Sequence, residues 1–164
     1  MKNAILQRIK NQYQLNLNSD HGISHWQRVK EIGLYLSKET KADATVINLF
    51  AYLHDSKRIN EDYDLQHGAR AALFASELYK EKLLDITVGQ LSNLVIACKS
   101  HSQSEIKPEN ITIATCWDAD RLDLWRLGAT PNPELLFSEY AKRKKSFEYS
   151  YRLNNSQTKS GTSP

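Results

Sequence analysis

Apolar positions recur every three or four residues along nearly the whole chain, and no stretch alternates as a half-buried strand would. The pattern predicts an all-α fold. From about Asn3 to Gln14, Ile5, Leu6, Ile9 and Tyr13 share one face, and Asn16 to Asp20 breaks the period and can cap the next helix. That second helix is expected from about His21 to Lys38, with Val29, Ile32, Gly33 and Leu36 inward. The third spans Asp43 to Asp55, with Val46, Ile47, Phe50 and Leu53 as its stripe. After a polar loop from Ser56 to Asp64, a fourth runs from about Leu65 to Lys82 and a fifth from about Thr87 to His101. The sixth, Ile111 to Leu127, should stop at Gly128, a residue suited to the left-handed turn that ends helices. Pro131 and Pro133 then introduce a last helix from Pro133 to about Tyr149. From Asn154 onward no apolar residue remains, so 1–153 is read as a single domain and 154–164 as a disordered tail.

Composition narrows the function classes. Charged residues make up 25% of the 164 and hydrophobic ones 40%, and no apolar run approaches the ~20 residues of a membrane span, so no membrane partner is expected. The N-terminus turns polar before a signal-peptide core could form, which gives a cytoplasmic address as the expectation. Cys98 and Cys116 sit among apolar neighbours and read as buried packing residues. A net charge of +3 gives no nucleic-acid signal, and the one dense basic run, Lys142 to Lys145, reads as a solvated helix end.

The chemistry lies in the histidines. His54 falls on the Ile47–Phe50 stripe and brings Asp55 with it, in a last turn where the macrodipole disfavours an aspartate by roughly 0.3–1 kcal/mol. A buried carboxylate needs a positive partner, basic side chain or metal. His25 aligns with Val29, Ile32 and Leu36, His67 with Ala71, Phe74 and Leu78, and His101 with Leu94 and Cys98. One inward histidine is ordinary core; four, from four helices, are not, because each imidazole needs a partner for its lone pair. On the sixth helix Asp120 interrupts the stripe of Ile113, Trp117, Leu124 and Leu127, while Asp118 points roughly the other way. Neutral nitrogen with hard oxygen suits a first-row divalent ion better than calcium.

The order His25, His54-Asp55, Asp120 resembles the H…HD…D pattern of the HD-domain superfamily, all-α metal-dependent phosphohydrolases. The stretch from His21 to Val29 is similar to that family's first motif and Asp118 to Asp123 to its last. The resemblance implies a compact bundle of six or seven helices holding a divalent ion (Mn, Fe, Co, Ni, Zn or Mg) through His25, His54, Asp55 and Asp120. His67 and His101 fall where some members bind a second metal; here they either do so, with Asp55 bridging, or hydrogen-bond substrate phosphate or the ligands of the first metal. Asp55, Lys57 and Arg58 are the catalytic candidates, the two bases for stabilising phosphate charge. His21, Arg28, Asp118 and Arg121 are candidates to support the ligands. The implied function is hydrolysis of a phosphoester, on a nucleotide or another small phosphorylated molecule, by metal-activated water. The alternatives are a di-iron oxygenase of the same scaffold and a non-catalytic module binding metal or nucleotide.

Overall fold

The computed structural model describes residues 3–103 and 106–158, and within them the chain forms seven α-helices, two short 3₁₀ turns and no strand. The helices are α1 (Asn3–Gln12), α2 (Ile23–Thr40), α3 (Ala44–Leu53), α4 (His67–Lys80), α5 (Val88–Ser100), α6 (Ile111–Leu122) and α7 (Lys144–Thr158). α2 packs on α3 and α6, α3 on α5, and α4 lies along α5. Trp26, Ile32, Phe50, Leu94 and Trp117 are fully buried between them. Trp117 is a core residue with its indole N–H donated to the Ala97 carbonyl at 2.9 Å. Among the described residues no helix is long and apolar enough to cross a membrane.

Local sequence explains where the central helices start. Asp43 caps α3 by accepting the amides of Thr45 and Val46 at 2.8 and 3.2 Å. Its other oxygen takes the Gln90 side-chain amide at 2.8 Å, and its own N–H is donated to the Thr112 hydroxyl at 3.0 Å. Gln90 closes the capping box of α5 with Thr87, and Thr112 opens α6, so one aspartate joins the first turns of three helices.

The C-terminal third departs from the expected pattern. α6 ends at Leu122, and Leu124–Leu127 continues as a 3₁₀ turn that stops at Gly128 with φ +72°, the left-handed position the sequence reserves for glycine. Pro133–Leu135 is only a second 3₁₀ turn, and the last helix begins at Lys144 rather than Pro133. The intervening chain is held by buried Asp118, whose carboxylate accepts the Phe137 and Ser138 amides (2.7 and 2.9 Å) and the Ser138 hydroxyl (2.7 Å). Residues 154–158, expected to be disordered, are helical: Tyr149 stacks on Tyr35 with ring centroids 4.1 Å apart, and Asn154 donates to Asp123 at 3.0 Å. The rest of that expected tail, 159–164, lies outside the described residues.

Candidate metal centre

Five elements contribute to one buried cluster. His25 comes from the first turn of α2, His54 and Asp55 from the residues just past α3, His67 from the first position of α4, His101 from the end of α5 and Asp120 from α6. His25 and His54 are fully buried, and Asp55, His67 and His101 nearly so.

Asp55 lies at the centre. Its Oδ2 is 3.6 Å from Nε2 of both His25 and His54. Its Oδ1 is 3.3 Å from His67 Nε2 and 3.6 Å from His101 Nε2. Asp120 Oδ1 completes the first group, 3.4 Å from His25 Nε2 and 3.6 Å from His54 Nε2. The carboxylate thus presents one oxygen to each of two histidine pairs.

The proton inventory shows what this arrangement fits. Each Nδ1 faces an outer acceptor: Asp123 Oδ2 for His25 at 2.7 Å, the Phe50 and Ala51 carbonyls for His54 at 3.1 and 3.2 Å, the Asp64 carbonyl for His67, and the Cys98 carbonyl for His101 at 2.8 Å. A proton on each Nδ1 leaves the Nε2 lone pairs directed inward. Across each pair the two Nε2 atoms stand only 3.0 Å (His25 and His54) and 2.8 Å (His67 and His101) apart, so each gap admits one proton at most. Buried Asp55 Oδ1 has no hydrogen-bond partner among the described residues. Converging lone pairs around an orphaned carboxylate oxygen fit cations. Without a cation, protons must supply the charge instead. Burial acts to raise the Asp55 pKa, and the positive charge of His54 and His101 and hydrogen bonds from His101 and His25 outweigh it and hold the carboxyl well below its usual 3.8. Against burial, the carboxylates in turn raise His25 to about 9 and His101 above 6.5. His67 is pushed down to about 4 by burial and by neighbouring His101, which favours the neutral ring that a metal requires.

The remaining sequence candidates divide. Arg58 reaches the cluster, with Nη1 3.6 Å from Asp55 Oδ1 and its other nitrogens donating to the Asn60 and Asp62 carbonyls at 3.3 and 2.6 Å. His21 is at the rim, its ring 6.3 Å from that of His25 and its Nδ1 2.7 Å from Glu61. Lys57 is not brought to the cluster: its ammonium lies 4.7 Å from the centre of the Phe74 ring, in a separate groove with Gln12, Arg70 and Glu77. Asp118 supports no ligand, because two residues along a helix from Asp120 places it on another face, where it binds the 137–138 backbone. Arg28 does act near a ligand, gripping Asp123 with Nε and Nη2 at 2.7 and 3.1 Å. Arg121 stacks over the Phe137 ring at 4.6 Å and donates to the Leu135 carbonyl at 3.2 Å. Asp123, the carboxylate that orients His25, is the functional residue the sequence reading passes over.

Two cavities of 240 Å³ each open onto the cluster. One is lined by His101, Asp120, Arg121, Leu124 and Leu135, the other by Arg58, Tyr63, Leu65 and His67, and Ser102 belongs to both walls. A larger cavity of 440 Å³ lies elsewhere, between Ile5, Leu34, Leu49 and Leu84, away from any cluster of titratable groups.

No family model and no curated protein matches the chain. Among solved structures it is similar to a crystal structure described as a predicted HD superfamily hydrolase from an uncultured Thermotogales bacterium. The two are 26% identical with a TM-score of 0.68, over 96% of this chain and 89% of that one.

Proposed function

The chain belongs to the HD-domain superfamily, and on that premise we propose that it is a metal-dependent phosphohydrolase acting on a nucleotide or another small phosphoester, with two cations held across Asp55. The observation that carries the reading is the division of Asp55: Oδ2 toward His25 and His54, Oδ1 toward His67 and His101. His25, His54, Asp55 and Asp120 would hold one cation, and His67, His101 and Asp55 the other. Divalent cations supply Lewis acidity toward a phosphoryl oxygen and bring the pKa of water from 15.7 to about 7.

The chain's own residues account for the rest. Asp123 and four backbone carbonyls fix the imidazoles, so no ring has to reorient during a turnover. Arg58 is braced by the carbonyls of its own loop and places a guanidinium beside Asp55, where it can donate to a phosphate oxygen at the wall it shares with Tyr63 and Leu65. Leu124 and Leu135 make one side of the other cavity apolar enough for a leaving group, with Arg121, Ser102 and Asn132 as polar contacts. Each cavity is below the ~300–1,000 Å³ usual for a drug-sized ligand, and their common Ser102 wall favours one small molecule spanning both over a polymer.

A second reading has its own support. Four imidazoles with a bridging carboxylate suit iron as well as Mn, Co or Ni, and a di-iron oxygenase would need His67 and His101 as ligands. Elemental analysis of freshly purified protein, repeated for His54→Ala and His67→Ala, separates the outcomes when paired with a phosphate-release screen over nucleotides and phosphoesters. Two metals per chain, one of them retained in His67→Ala, with phosphate released, are expected. Two irons with oxygen consumed and no phosphate released would replace the hydrolase with the oxygenase. Failure to bind metal under any loading condition overturns both.

A further inference from the structure

Behind Asp123, on the Nδ1 side of His25, a separate cavity of 250 Å³ is lined by Asn18, Asp20, Ser24, Arg28, Arg126 and Asn154. Its buried charges are unevenly matched. The Arg28 and Arg126 side chains are only 9% and 8% exposed, and the carboxylate they share is Asp123. Arg28 takes that carboxylate through two hydrogen bonds, and His25 and Asn154 take the rest of its accepting capacity. Arg126 comes no nearer to it than 3.8 Å. The hydrogen bonds of Arg126 go instead to the Asp20 and Asp123 carbonyls at 2.9 and 3.3 Å, and its Nη2 has no hydrogen-bond partner among the described residues. Asp20, which also lines the cavity, is exposed and forms no ion pair among them. A guanidinium nine-tenths buried without a full counter-charge is costly, and an oxyanion relieves it. The eighteen-residue α2 also begins in this wall: Gly22 provides no side-chain cap, and Ser24 in the first turn lines the cavity.

We propose that this cavity is a binding site for a phosphate-class oxyanion, and that its occupancy is coupled to His25 through Arg28 and Asp123. An anion between the two guanidinium groups offsets the positive charge that draws on the Asp123 carboxylate. Asp123 then accepts more strongly from the His25 Nδ1–H, and the ring becomes a better donor at Nε2. Coupling of this kind is reciprocal, so a cation in the cluster tightens the anion in turn. The coupling rests on the metal-centre reading; the anion site does not.

The two are tested apart. Inorganic phosphate titrated calorimetrically into metal-free protein should bind saturably. Binding should weaken about tenfold in Arg126→Ala, where a charge-assisted contact is lost, and be retained in His54→Ala. Ser24→Asp guards against misfolding: an acidic residue in the first turn favours the helix, yet sets a negative charge in the cavity wall, and should abolish binding. Parallel titrations with glycerol phosphate and a nucleoside monophosphate distinguish a free anion from a phosphorylated small molecule by which binds most tightly. Phosphate that does not bind, or that binds equally well to Arg126→Ala and Ser24→Asp, overturns the site. Binding lost in His54→Ala and kept in Arg126→Ala overturns it too, by placing the anion in the ligand cluster. For the coupling, saturating phosphate should tighten the cation about fivefold in the wild type and leave Arg126→Ala unchanged; equal cation affinity with and without phosphate removes the coupling and leaves the site.

Discussion

At the scale of single residues, Asp123 decides which nitrogen of His25 faces the cluster. Its Oδ2 accepts from His25 Nδ1 at 2.7 Å while Arg28 grips both its oxygens, so the ring has one orientation and one tautomer. Replacing it by alanine frees the ring and takes two hydrogen bonds from the buried Arg28. Cation affinity, followed by titration with Mn or Co, should fall roughly 10–100-fold, with His54 and Asp120 still in place. The four imidazoles were legible because each lies on an apolar stripe. Asp123 was not, since three aspartates within six residues compete for one role; the signal available was its i, i+3 spacing from Asp120, which sets the two on neighbouring faces. Lys57 failed for the opposite reason, because adjacency to His54-Asp55 along the chain does not survive the turn after α3. Asp43 gives a pH-dependent case. Burial acts to raise its pKa, and the Gln90, Val46 and Thr45 hydrogen bonds overcome that and hold it below 3.8. A depressed carboxyl stabilises the fold above its unfolded pKa, and the contribution is lost as pH falls through the folded value. Asp43→Ala should therefore cost about 1 kcal/mol at neutral pH, read by denaturant unfolding, with the gap from wild type narrowing below about pH 4.

At the scale of elements, the ligands stand where helices begin and end, which makes helix placement part of the chemistry. His67 opens α4, and the next residue, Gly68, rests against the C-terminal turn of α5: a Cβ there would come 2.6 Å from the Cys98 carbonyl oxygen and 2.8 Å from that of Lys99. Neither backbone atom can give way cheaply. That same Cys98 oxygen accepts from His101 Nδ1, so Gly68→Ala forces α4 off α5 at the point where His67 and His101 meet. We expect a loss of about 1–3 kcal/mol in stability and one metal in place of two, with the His25, His54 and Asp120 group still loaded; two metals retained would show that α4 shifts without parting the pair. Interior periodicity located six of the seven described helices, but not their ends: Asp43, counted inside the third helix, caps it from outside, and Gly128, expected to end the sixth, closes the 3₁₀ turn beyond it. The last helix was misplaced because Pro133 signals only that a turn begins. What prevents a helix there is Asp118, which takes the Phe137 and Ser138 amides from across the fold. Its extension to Thr158 likewise depends on Tyr35 and Asp123, partners distant in sequence that no local pattern reveals.

At the scale of the whole molecule, the cluster is where α2, α3, α4, α5 and α6 converge, so anything bound there ties five helical elements together. Lone pairs presented by residues as far apart as His25 and Asp120 are assembled only in the folded chain, and binding free energy becomes folding free energy. One cation at a hundredfold excess over its dissociation constant adds about 2.7 kcal/mol to the folded state, provided the unfolded chain does not bind it. For a domain of this size that is a rise in Tm of roughly 5–10 °C. Metal-loaded protein scanned with and without chelator should show at least that difference, and a larger one if both halves of the cluster are filled. The two halves can then be separated. His67→Ala should keep the part contributed by His25, His54 and Asp120, whereas Asp55→Ala, which takes an oxygen from each half, should erase the chelator effect. A chelator effect of full size in Asp55→Ala would mean that the shared carboxylate does not join the sites, and the two-cation reading would fall with it.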